Sequence, residues 1–437
     1  MEATLTEILD AREQRAYRQQ ELLETYGTTL LCFTLNIPGP DKTSDLAEKG
    51  FAMGNRLLRM AIPHDKCRYF EQRCTPAGWE SFYAVDMPAR ELKRLTADLE
   101  DKTPAGRVFD MDILTPGGEK LQREALGLSP RRCLLCGQSA AVCGRSRAHS
   151  VAQLLEATDA LLKKSISRYL GDLALQSILS ELYATPKPGL VDQNNSGSHQ
   201  DMDLYTFLRS GAALHPYFCR CAQIGLEGGE PAAVFEGLRQ AGLEAEQRML
   251  RATGGINTHK GAIFTMGILC GAAAMLPGCQ WKNPEALQRQ CALLAKDLVR
   301  KSFASMEQPK TAGEMLFRQY GITGARGQAE AGFPAACSVG LPVLEEGLAK
   351  GLPFNDALCA ALLHIIATTW DTNLIKRGGM ATYEQIRTAL QILLQAQPFP
   401  EKSVLEDLDK AFIRKNLSPG GSADLLAATC FFYLMKA

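Results

Sequence analysis

The chain has 437 residues, of which 46% are hydrophobic and 22% are charged, and this length exceeds what one core usually serves, so we expect at least two domains. The 48 basic and 48 acidic residues give a net charge near zero, which argues against a broad nucleic-acid or membrane surface but leaves local phosphate sites open. Because no apolar signal segment is found and no apolar stretch is long enough to span a bilayer, we expect a cytoplasmic protein.

The first third of the chain has the pattern of an α+β domain. Residues 11–26 and 90–100 have helical character. Short apolar runs at residues 30–37, 81–85 and 109–114 lie between proline and glycine breaks and are typical of strands. We therefore expect strands and helices to mix in this part of the chain.

The last of these runs carries two aspartates at alternate positions. In a strand, this spacing places Asp110 and Asp112 on one face, with apolar residues packed behind them. Magnesium prefers a few carboxylates together with phosphate oxygens and water, so the pair is suited to hold a metal-bound di- or triphosphate. The pattern indicates phosphoryl or nucleotidyl transfer, while two solvated aspartates on a surface strand are the alternative.

Basic side chains in the same part of the chain are suited to bind phosphate. Lys42 follows a rigid proline-glycine turn that begins at Asn36 and closes the first strand, although a solvated lysine explains it equally well. An arginine-rich stretch follows the aspartates and includes Arg145 and Arg147, and the guanidinium fork matches phosphate. Metal and arginine together would neutralise a polyphosphate.

The arginine-rich stretch also contains three cysteines and a histidine, which supply the four soft ligands of a structural zinc site. They are Cys133, Cys136, Cys143 and His149. The last two are six positions apart, however, where a finger or knuckle commonly has about two to four. Cysteines elsewhere in the chain stand in apolar runs typical of reduced core residues. We therefore favour reduced core cysteines over a zinc site.

Residues 36–42, 106–112 and 132–150 resemble the motifs of the holo-citrate lyase synthase family, the apo-citrate lyase phosphoribosyl-dephospho-CoA transferases. Enzymes of this family attach phosphoribosyl-dephospho-CoA to a serine of the apo acyl carrier subunit of citrate lyase and release pyrophosphate. The resemblance implies a nucleotidyltransferase-like α+β domain over residues 1–165.

The same resemblance implies roles for individual residues of the first domain. Asp110 and Asp112 would hold the magnesium that stabilises charge on the α-phosphate and the leaving pyrophosphate. The substrate-binding candidates are Asn36, Lys42, Arg145 and Arg147.

After residue 150, the chain has a different composition and a different spacing of apolar residues. Residues 151–184 have apolar positions at helical spacing with no internal proline, and the segments that follow are rich in alanine, leucine, glutamine and glutamate. We expect a mostly all-α domain. Because no proline- or serine-rich linker is visible, we place the domain boundary inside the helix, between about residues 150 and 175.

Polar residues and glycines gather in islands that interrupt this helical part. They lie at residues 185–203, 254–261, 320–334, 371–379 and 416–427. For any single residue, helix capping is the ordinary explanation, but so many islands in one helical domain suggest one convergent polar site, with helix N-termini facing phosphate. A Walker A loop is not supported, because no island ends in Gly-Lys-Ser/Thr.

The islands look like those of the triphosphoribosyl-dephospho-CoA synthase family, in order, from about residue 177 to the C-terminus. Enzymes of that family join ATP and dephospho-CoA and release adenine. The resemblance implies a synthase domain over residues 166–437. The whole chain therefore resembles a fused bifunctional protein, in which the second domain makes what the first domain uses.

Displacement of adenine passes through an oxocarbenium-like state that needs a nearby carboxylate, a base for the attacking hydroxyl and a proton for adenine. The carboxylate candidates are Asp192, Asp201, Glu330, Asp371 and Asp424, and the proton donors are His199 and His259. The triphosphate would be held by Lys260, Arg326 and Arg377 with magnesium, and Asn257, Thr258 and Ser422 are further substrate-binding candidates.

Three alternatives remain open at this stage. Malonate decarboxylase carries a related prosthetic group, although the first part of the chain looks citrate-type. A non-catalytic assembly factor, with a zinc-stabilised module that docks the carrier subunit, belongs to a different class. A template-dependent polymerase is disfavoured by the neutral charge, and we expect no nucleic-acid partner.

Overall fold

The computed structural model of the chain describes residues 3–303, 309 and 311–436. The chain divides into two compact units. The first comprises Met1–Ile166 with Pro277–Cys279, and the second comprises Ser167–Leu276 with Gln280–Ala437.

The first unit combines helices with one antiparallel sheet. Its elements are α1 (Leu5–Tyr26), β1 (Thr29–Leu35), α2 (Asp45–Ala61), β2 (Cys67–Thr75), β3 (Gly78–Val85), α3 (Ala89–Lys102), β4 (Phe109–Leu114), α4 (Ala140–Ser146) and the N-terminal part of α5 (Val151–Tyr183). The strand order is β2-β3-β1-β4. This confirms the expected mixture of strands and helices, and the strand predicted at residues 109–114 has the predicted bounds.

Besides the short helix α4, two elements of this unit were not predicted. β2 has no fully buried residue and carries charged side chains along its length, so it lacks the apolar run that marks a strand. α2 contains glycines at positions 50 and 54, which lower helix propensity although the helix is strongly amphipathic. Both elements owe their formation to packing on the rest of the unit.

The two faces of the sheet are covered by different helices. On one face, Leu22 of α1 packs with Leu30 and Cys32 of β1. On the opposite face, the ring of Phe33 in β1 stacks on Phe51 of α2, with centroids 5.1 Å apart. Since neighbouring residues of a strand point to opposite faces, β1 contributes to both cores.

β4 is an edge strand, and side chains occupy its outward-facing main-chain groups. The N–H of Met111 donates to the Glu100 carboxylate at 3.0 Å, and Lys93 donates to the carbonyl of Met111 at 2.8 Å. Arg131 donates to the carbonyl of Phe109. These side-chain hydrogen bonds satisfy main-chain groups on the open edge of β4, so another strand cannot readily pair with it.

The second unit is helical in every element that the structure describes. Its helices are the C-terminal part of α5, α6 (Leu204–Glu227), α7 (Pro231–Thr253), α8 (Lys260–Met275), α9 (Pro284–Leu294), α10 (Leu298–Phe303), α11 (Ala312–Tyr320), α12 (Gly324–Glu330), α13 (Leu341–Ala349), α14 (Phe354–Thr368), α15 (Thr372–Ala396), α16 (Lys402–Arg414) and α17 (Gly420–Lys436). A π-helical turn, Ala335–Gly340, leads into α13. The expected helical domain is confirmed.

α8 is the central helix of this unit and contacts α6, α7, α9 and α17. Nearly all of its residues after Gly261 are apolar or small and buried, which is the pattern of a helix surrounded by protein on all sides. Tyr217 of α6 donates to the carbonyl of Ile263 at 2.9 Å and fixes the first turn of α8 against α6. The polar N-terminus of α8 therefore has a defined position at the edge of the core.

No single helix among the described residues has both the length and the apolar composition needed to cross a membrane. The pair formed by α14 and α15 meets those criteria together, but it is bent by 56° at the break between the two helices.

Candidate functional site

The two aspartates of the first unit share one face of β4. Their Cα partners on β1 are Thr34 for Asp110 and Cys32 for Asp112, so both carboxylates lie on the sheet face that α1 covers. Desolvation and then the neighbouring Asp112 carboxylate raise the pKa of Asp110. Two oxygen-donor groups that repel each other in this way fit a divalent cation such as magnesium, which would relieve the repulsion.

Basic side chains accompany the aspartate pair. Lys120 forms an ion pair with Asp112 at 2.5 Å, and an Arg131 nitrogen lies 3.9 Å from an Asp110 oxygen. Arg131 also pairs with the buried Glu100 at 2.5 Å. Sequence reasoning had included Arg131 only as part of the arginine-rich stretch, and the structure identifies it as the arginine next to the aspartates.

A cavity of about 1020 Å³ in the first unit is rich in arginine. Its lining includes Asn36, Arg107, Arg123, Arg131, Arg132 and Arg147. The shared Arg131 connects this cavity to the aspartate pair. A cavity with this many guanidinium groups is suited to a polyphosphate.

Two predicted substrate-binding residues of this unit are not part of the cavity lining. Arg145 lies in the exposed last turn of α4. Lys42 donates from Nζ to the carbonyl of Ile37, and desolvation followed by the nearby Arg12 lowers the pKa of Lys42. A substrate role for either residue stays a prediction.

The three cysteines and the histidine of the arginine-rich stretch are gathered into one cluster. The ligand atoms of Cys133, Cys136, Cys143 and His149 all lie within 4.8 Å of one another. Cys136 is exposed and Cys143 is half-buried, so the expectation of reduced core cysteines is wrong for both. A main-chain hydrogen bond from Gln138, then His149 and Cys143, lower the pKa of Cys136 to about 6. The six positions between Cys143 and His149 do not keep their side chains apart, because the chain turns back after α4.

The second unit contains a cavity of about 410 Å³ where several helices begin. The first residues of α8, α15 and α17 line it. Helix N-termini carry partial positive charge, so together they favour an anion, and side chains of the site already accept several of their first-turn N–H groups. The polar islands thus converge on one site, as their number suggested.

Asp424 of α17 faces this cavity and differs from the other carboxylates. It accepts no hydrogen bond from any residue that the structure describes, and its carboxylate lies against α8 at Gly261. A Cβ at that glycine would lie 1.8 Å from the Asp424 Oδ2 atom. Desolvation, then Glu181 and Asp371, raise the pKa of Asp424 well above its ordinary value. The side chain is therefore suited to exchange a proton.

Asp371 also lines the cavity, but its lone pairs are occupied. Its carboxylate accepts from the N–H groups of Asn373 at 2.9 Å and Leu374 at 3.1 Å in α15. It also accepts from the N–H of Ser422 at 2.7 Å and from the hydroxyl of Ser422 at 2.8 Å, in α17. Asp371 and Ser422 thus join the first turns of two helices, and Asp371 is less suited than Asp424 to move a proton.

His259 precedes α8 and is buried in the wall of the cavity. Its Nδ1 atom lies 2.7 Å from the hydroxyl of Ser210, which also accepts from Thr258 at 2.7 Å. Its Nε2 atom is buried without a hydrogen-bond partner among the described residues. Desolvation and then Lys187 lower the pKa of His259 to about 3, so the ring is neutral near neutral pH and cannot act as an imidazolium donor there.

His199 and Arg377 lie together on another side of the cavity. Arg377 approaches the Nδ1 atom of His199 at 3.4 Å, and the Nε2 atom lies 3.0 Å from the Ser418 hydroxyl. Because a guanidinium can only donate, Nδ1 accepts and Nε2 carries the proton. Desolvation and then Arg377 lower the pKa of His199, which favours this neutral form.

Lys260 and Asn257 lie at the start of α8. The Asn257 side chain accepts from the main-chain N–H of Lys260 at 3.3 Å and so caps the helix. Lys260 is exposed and pairs with Glu246 at 2.9 Å. Because an exposed ion pair is weak, this ammonium group can exchange Glu246 for an anionic ligand at the helix N-termini.

Five predicted residues of the second unit do not line this cavity, and one of them is Ser422, the buried partner of Asp371. Asp192 accepts three main-chain N–H groups of its own turn, including that of Asn194 at 2.7 Å, and Asp201 is exposed on the rim beyond His199. Glu330 accepts from the N–H of Val299 at 3.2 Å. Arg326 stacks over Phe303, 5.1 Å from the ring centroid. Their positions give them structural contacts, and a role in catalysis stays a prediction for each.

One cavity-lining carboxylate escaped sequence reasoning. Glu181 of α5 is buried, and Lys187, which is itself only 1% exposed, pairs with it and donates to its main-chain carbonyl at 2.6 Å. The signal was available, since Glu181 is a lone acidic residue in an apolar stretch of helix. A buried ion pair of this kind is costly to desolvate and needs a reason to be kept, which makes it a site candidate.

Comparisons with known proteins assign each unit to a family. The family model described as apo-citrate lyase phosphoribosyl-dephospho-CoA transferase matches residues 3–165. The model described as ATP:dephospho-CoA triphosphoribosyl transferase matches residues 167–437.

Two similar proteins align with nearly the whole chain. The chain is 35% identical to Protein CitXG of Haemophilus influenzae and 34% identical to that of Leuconostoc mesenteroides, in each case over 98% of this chain and 96% of the relative. A probable 2-(5''-triphosphoribosyl)-3'-dephosphocoenzyme-A synthase of Vibrio cholerae is 43% identical over 62% of this chain and 88% of the relative.

Proposed function

Because the chain belongs to the family of fused CitXG proteins, we propose that it matures the prosthetic group of citrate lyase in two consecutive reactions. The second unit joins ATP and dephospho-CoA and releases adenine. The first unit transfers the phosphoribosyl-dephospho-CoA portion of that product to a serine of the apo acyl carrier subunit and releases pyrophosphate.

The observation that carries the synthase assignment is the placement of Asp424. This carboxyl has no hydrogen-bond partner among the described residues, and it faces a cavity at which three helices begin. A triphosphate at the helix N-termini, with Lys260 and Arg377 beside it, would bring the ribose of ATP into the same cavity. The phosphate-binding and proton-transfer groups would thus lie within one site.

We assign Asp424 as the general acid that protonates adenine while the bond from adenine to the ribose breaks. The carboxyl faces the cavity without a hydrogen-bond partner among the described residues, and desolvation raises its pKa, which favours the protonated form that can donate. The hydroxyl of dephospho-CoA forms the new bond to the same carbon and gives its proton to water, from which Asp424 regains the proton that it gave to adenine. Asp371 and Glu181, held by Ser422 and Lys187, place negative charge near the oxocarbenium-like ribose.

For the first unit we propose a nucleotidyltransferase-like site at the aspartate pair. Asp110 and Asp112 would hold magnesium, which neutralises the pyrophosphate leaving group. Arg131 and the other arginines of the cavity would bind the triphosphate, and the carrier serine would attack its α-phosphorus. Support comes from the shared face of the two aspartates and from Arg131, which belongs to both the aspartate pair and the cavity.

We also propose a boundary between the two domains at residues 165 and 166. It is supported by the two family matches, which end and begin at residues 165 and 167, and by the division of the chain after Ile166.

The test uses the purified full chain with ATP, dephospho-CoA, magnesium and the apo acyl carrier subunit. We expect release of adenine, seen by chromatography, and a gain in carrier mass equal to phosphoribosyl-dephospho-CoA, seen by mass spectrometry. Adenine release without carrier modification would contradict the assignment of the first unit. If neither occurs, a non-catalytic assembly factor would replace the whole proposal.

A further inference from the structure

We propose that the first unit contains a structural zinc site formed by the cysteine-histidine cluster of the segment from residue 129 to residue 149. Its ligands would be the thiolates of Cys133, Cys136 and Cys143 and the Nε2 atom of His149. Three sulfurs and one nitrogen form a closed tetrahedral set, which is typical of a structural rather than a catalytic zinc.

The distances within the cluster suit this ion. Bonds from zinc to sulfur of about 2.3 Å place the ligand atoms of a tetrahedral site about 3.8 Å apart. Here the sulfurs of Cys136 and Cys143 are 3.2 Å apart, and the Cys143 sulfur is 3.7 Å from His149 Nε2. The remaining separations are at most 4.8 Å, so all four atoms reach tetrahedral positions with small side-chain movements.

The backbone is built to present these four atoms. Gly137, with φ of 71°, turns the chain directly after Cys136, and the N–H of Cys133 returns to the carbonyl of Gln138 at 2.5 Å. This loop forms a knuckle around the first two ligands. α4 then presents Cys143, and Arg147, in the left-handed conformation with φ of 48°, reverses the chain so that His149 comes back to the cluster.

A second observation indicates that this segment needs a cross-link to hold its conformation. Between residues 121 and 150, Cys133 is the only buried residue. A segment of that length with no apolar core of its own cannot hold one conformation by burial, and small segments of this kind are commonly fixed by a metal or by disulfides. All the cysteines of the cluster are free thiols, so a bound metal is the cross-link that fits this segment.

The zinc would have a consequence for substrate binding. Arg131, Arg132 and Arg147 lie in the same segment and line the arginine-rich cavity, so the ion would fix the spacing of these guanidinium groups. It would take no part in the chemical step, because protein ligands fill all four positions. The consequence for phosphate rests on the proposed function, whereas the metal site itself does not.

Metal content is the direct test, and it needs no activity. We expect the full chain, expressed in zinc-supplemented medium, to contain one zinc per chain by mass spectrometry of the metal. X-ray absorption at the zinc edge should show three sulfurs at about 2.3 Å and one nitrogen at about 2.0 Å. Substoichiometric zinc, an oxygen-dominated shell, or a disulfide between Cys136 and Cys143 in anaerobically purified protein would overturn the proposal.

Variants localise the ion and separate this proposal from the proposed function. Cys136→Ser and His149→Ala should lose the zinc, while Cys74→Ser, at an exposed cysteine outside the cluster, should keep it. The cluster variants should also lose carrier modification and keep adenine release, because the second unit does not contain the cluster. If they keep one zinc per chain, the assigned ligands are wrong. The spectrum of the unmodified chain decides the question even where a variant fails to fold.

Discussion

At the scale of single residues, Asp424 provides the sharpest test of the synthase assignment. Asparagine has nearly the same shape but cannot donate a proton from a carboxyl group. We expect Asp424→Asn to lower the rate of adenine release by about a hundredfold or more, with ATP binding largely intact. Asp407→Asn, an exposed aspartate on α16, is the matched control and should leave the rate unchanged. An unaltered rate in Asp424→Asn would remove this residue from the mechanism.

The raised pKa of Asp424 also fixes the sign of the pH dependence. As a general acid it must be protonated, so adenine release by the unmodified chain should fall as the pH rises through the raised pKa. The protonated Asp424 carboxyl contributes fully to the free energy of unfolding below pH 3.8, the pKa of this group in the unfolded chain. This contribution is lost as the pH rises through the raised pKa of the folded chain. Asp424→Asn should therefore be at least as stable as the unmodified chain near neutral pH, which urea unfolding measures.

The aspartate pair tests the first unit in the same way. Removal of a metal ligand costs several kcal/mol of transition-state stabilisation, and each 1.36 kcal/mol is a factor of ten, so Asp110→Asn should slow carrier modification by about a hundredfold or more. Asp98→Asn, at an exposed position of α3, is the control. If the chain binds zinc and carrier modification is indifferent to Asp110, a zinc-stabilised docking module becomes the better account of the first unit.

At the scale of secondary-structure elements, the close approach of α8 and α17 positions the Asp424 carboxyl. A methyl group at Gly261 would push this carboxyl away from α8 while raising the helix propensity of that turn. We expect Gly261→Ala to fold normally but to lower adenine release by about a hundredfold, since a shift of about 1 Å has that effect. Gly313→Ala in α11, where an added Cβ meets no atom within 4 Å, should leave the rate unaltered.

The capped edge of β4 makes a prediction about stability. Glu100 accepts from the Met111 N–H and pairs with Arg123 and Arg131, so its removal leaves two guanidinium groups without this partner. We expect Glu100→Ala to lower the free energy of unfolding of the first unit by about 3–5 kcal/mol. Asp101→Ala removes an exposed partner of Arg123 and should cost less than about 1 kcal/mol. Equal effects of the two substitutions, measured by urea unfolding, would contradict this account of the edge.

At the scale of the whole molecule, the sequence predicted secondary structure that depends on neighbouring residues better than contacts between residues distant in the chain. The strand of Asp110 was predicted with its bounds because alternation is a property of neighbouring residues. Glu181 was not found, since its place in the site depends on Lys187, which returns to it through a proline turn. His149 was discounted on spacing, although the left-handed turn at Arg147 brings it back to the cysteines.

The convergence of the polar islands was predictable only in outline. Glycine and polar residues marked the starts of α8, α15 and α17, but no sequence rule places helices that begin at residues 260, 372 and 420 around one cavity. Nor could sequence rank the carboxylates. Asp371 and Asp424 have similar local contexts, and only packing shows that donors bond to Asp371 whereas no described residue donates to Asp424.

The central claim is that each unit performs one of two consecutive reactions, and a mixing experiment tests it most directly. Asp424→Asn and Asp110→Asn chains are incubated separately and together with ATP, dephospho-CoA, magnesium and apo carrier, and the carrier is weighed by mass spectrometry. We expect no modified carrier from either variant alone and modified carrier from the mixture, because one variant makes the intermediate that the other uses. A mixture as inactive as its components, with both variants folded, would contradict the division of the two reactions between the units.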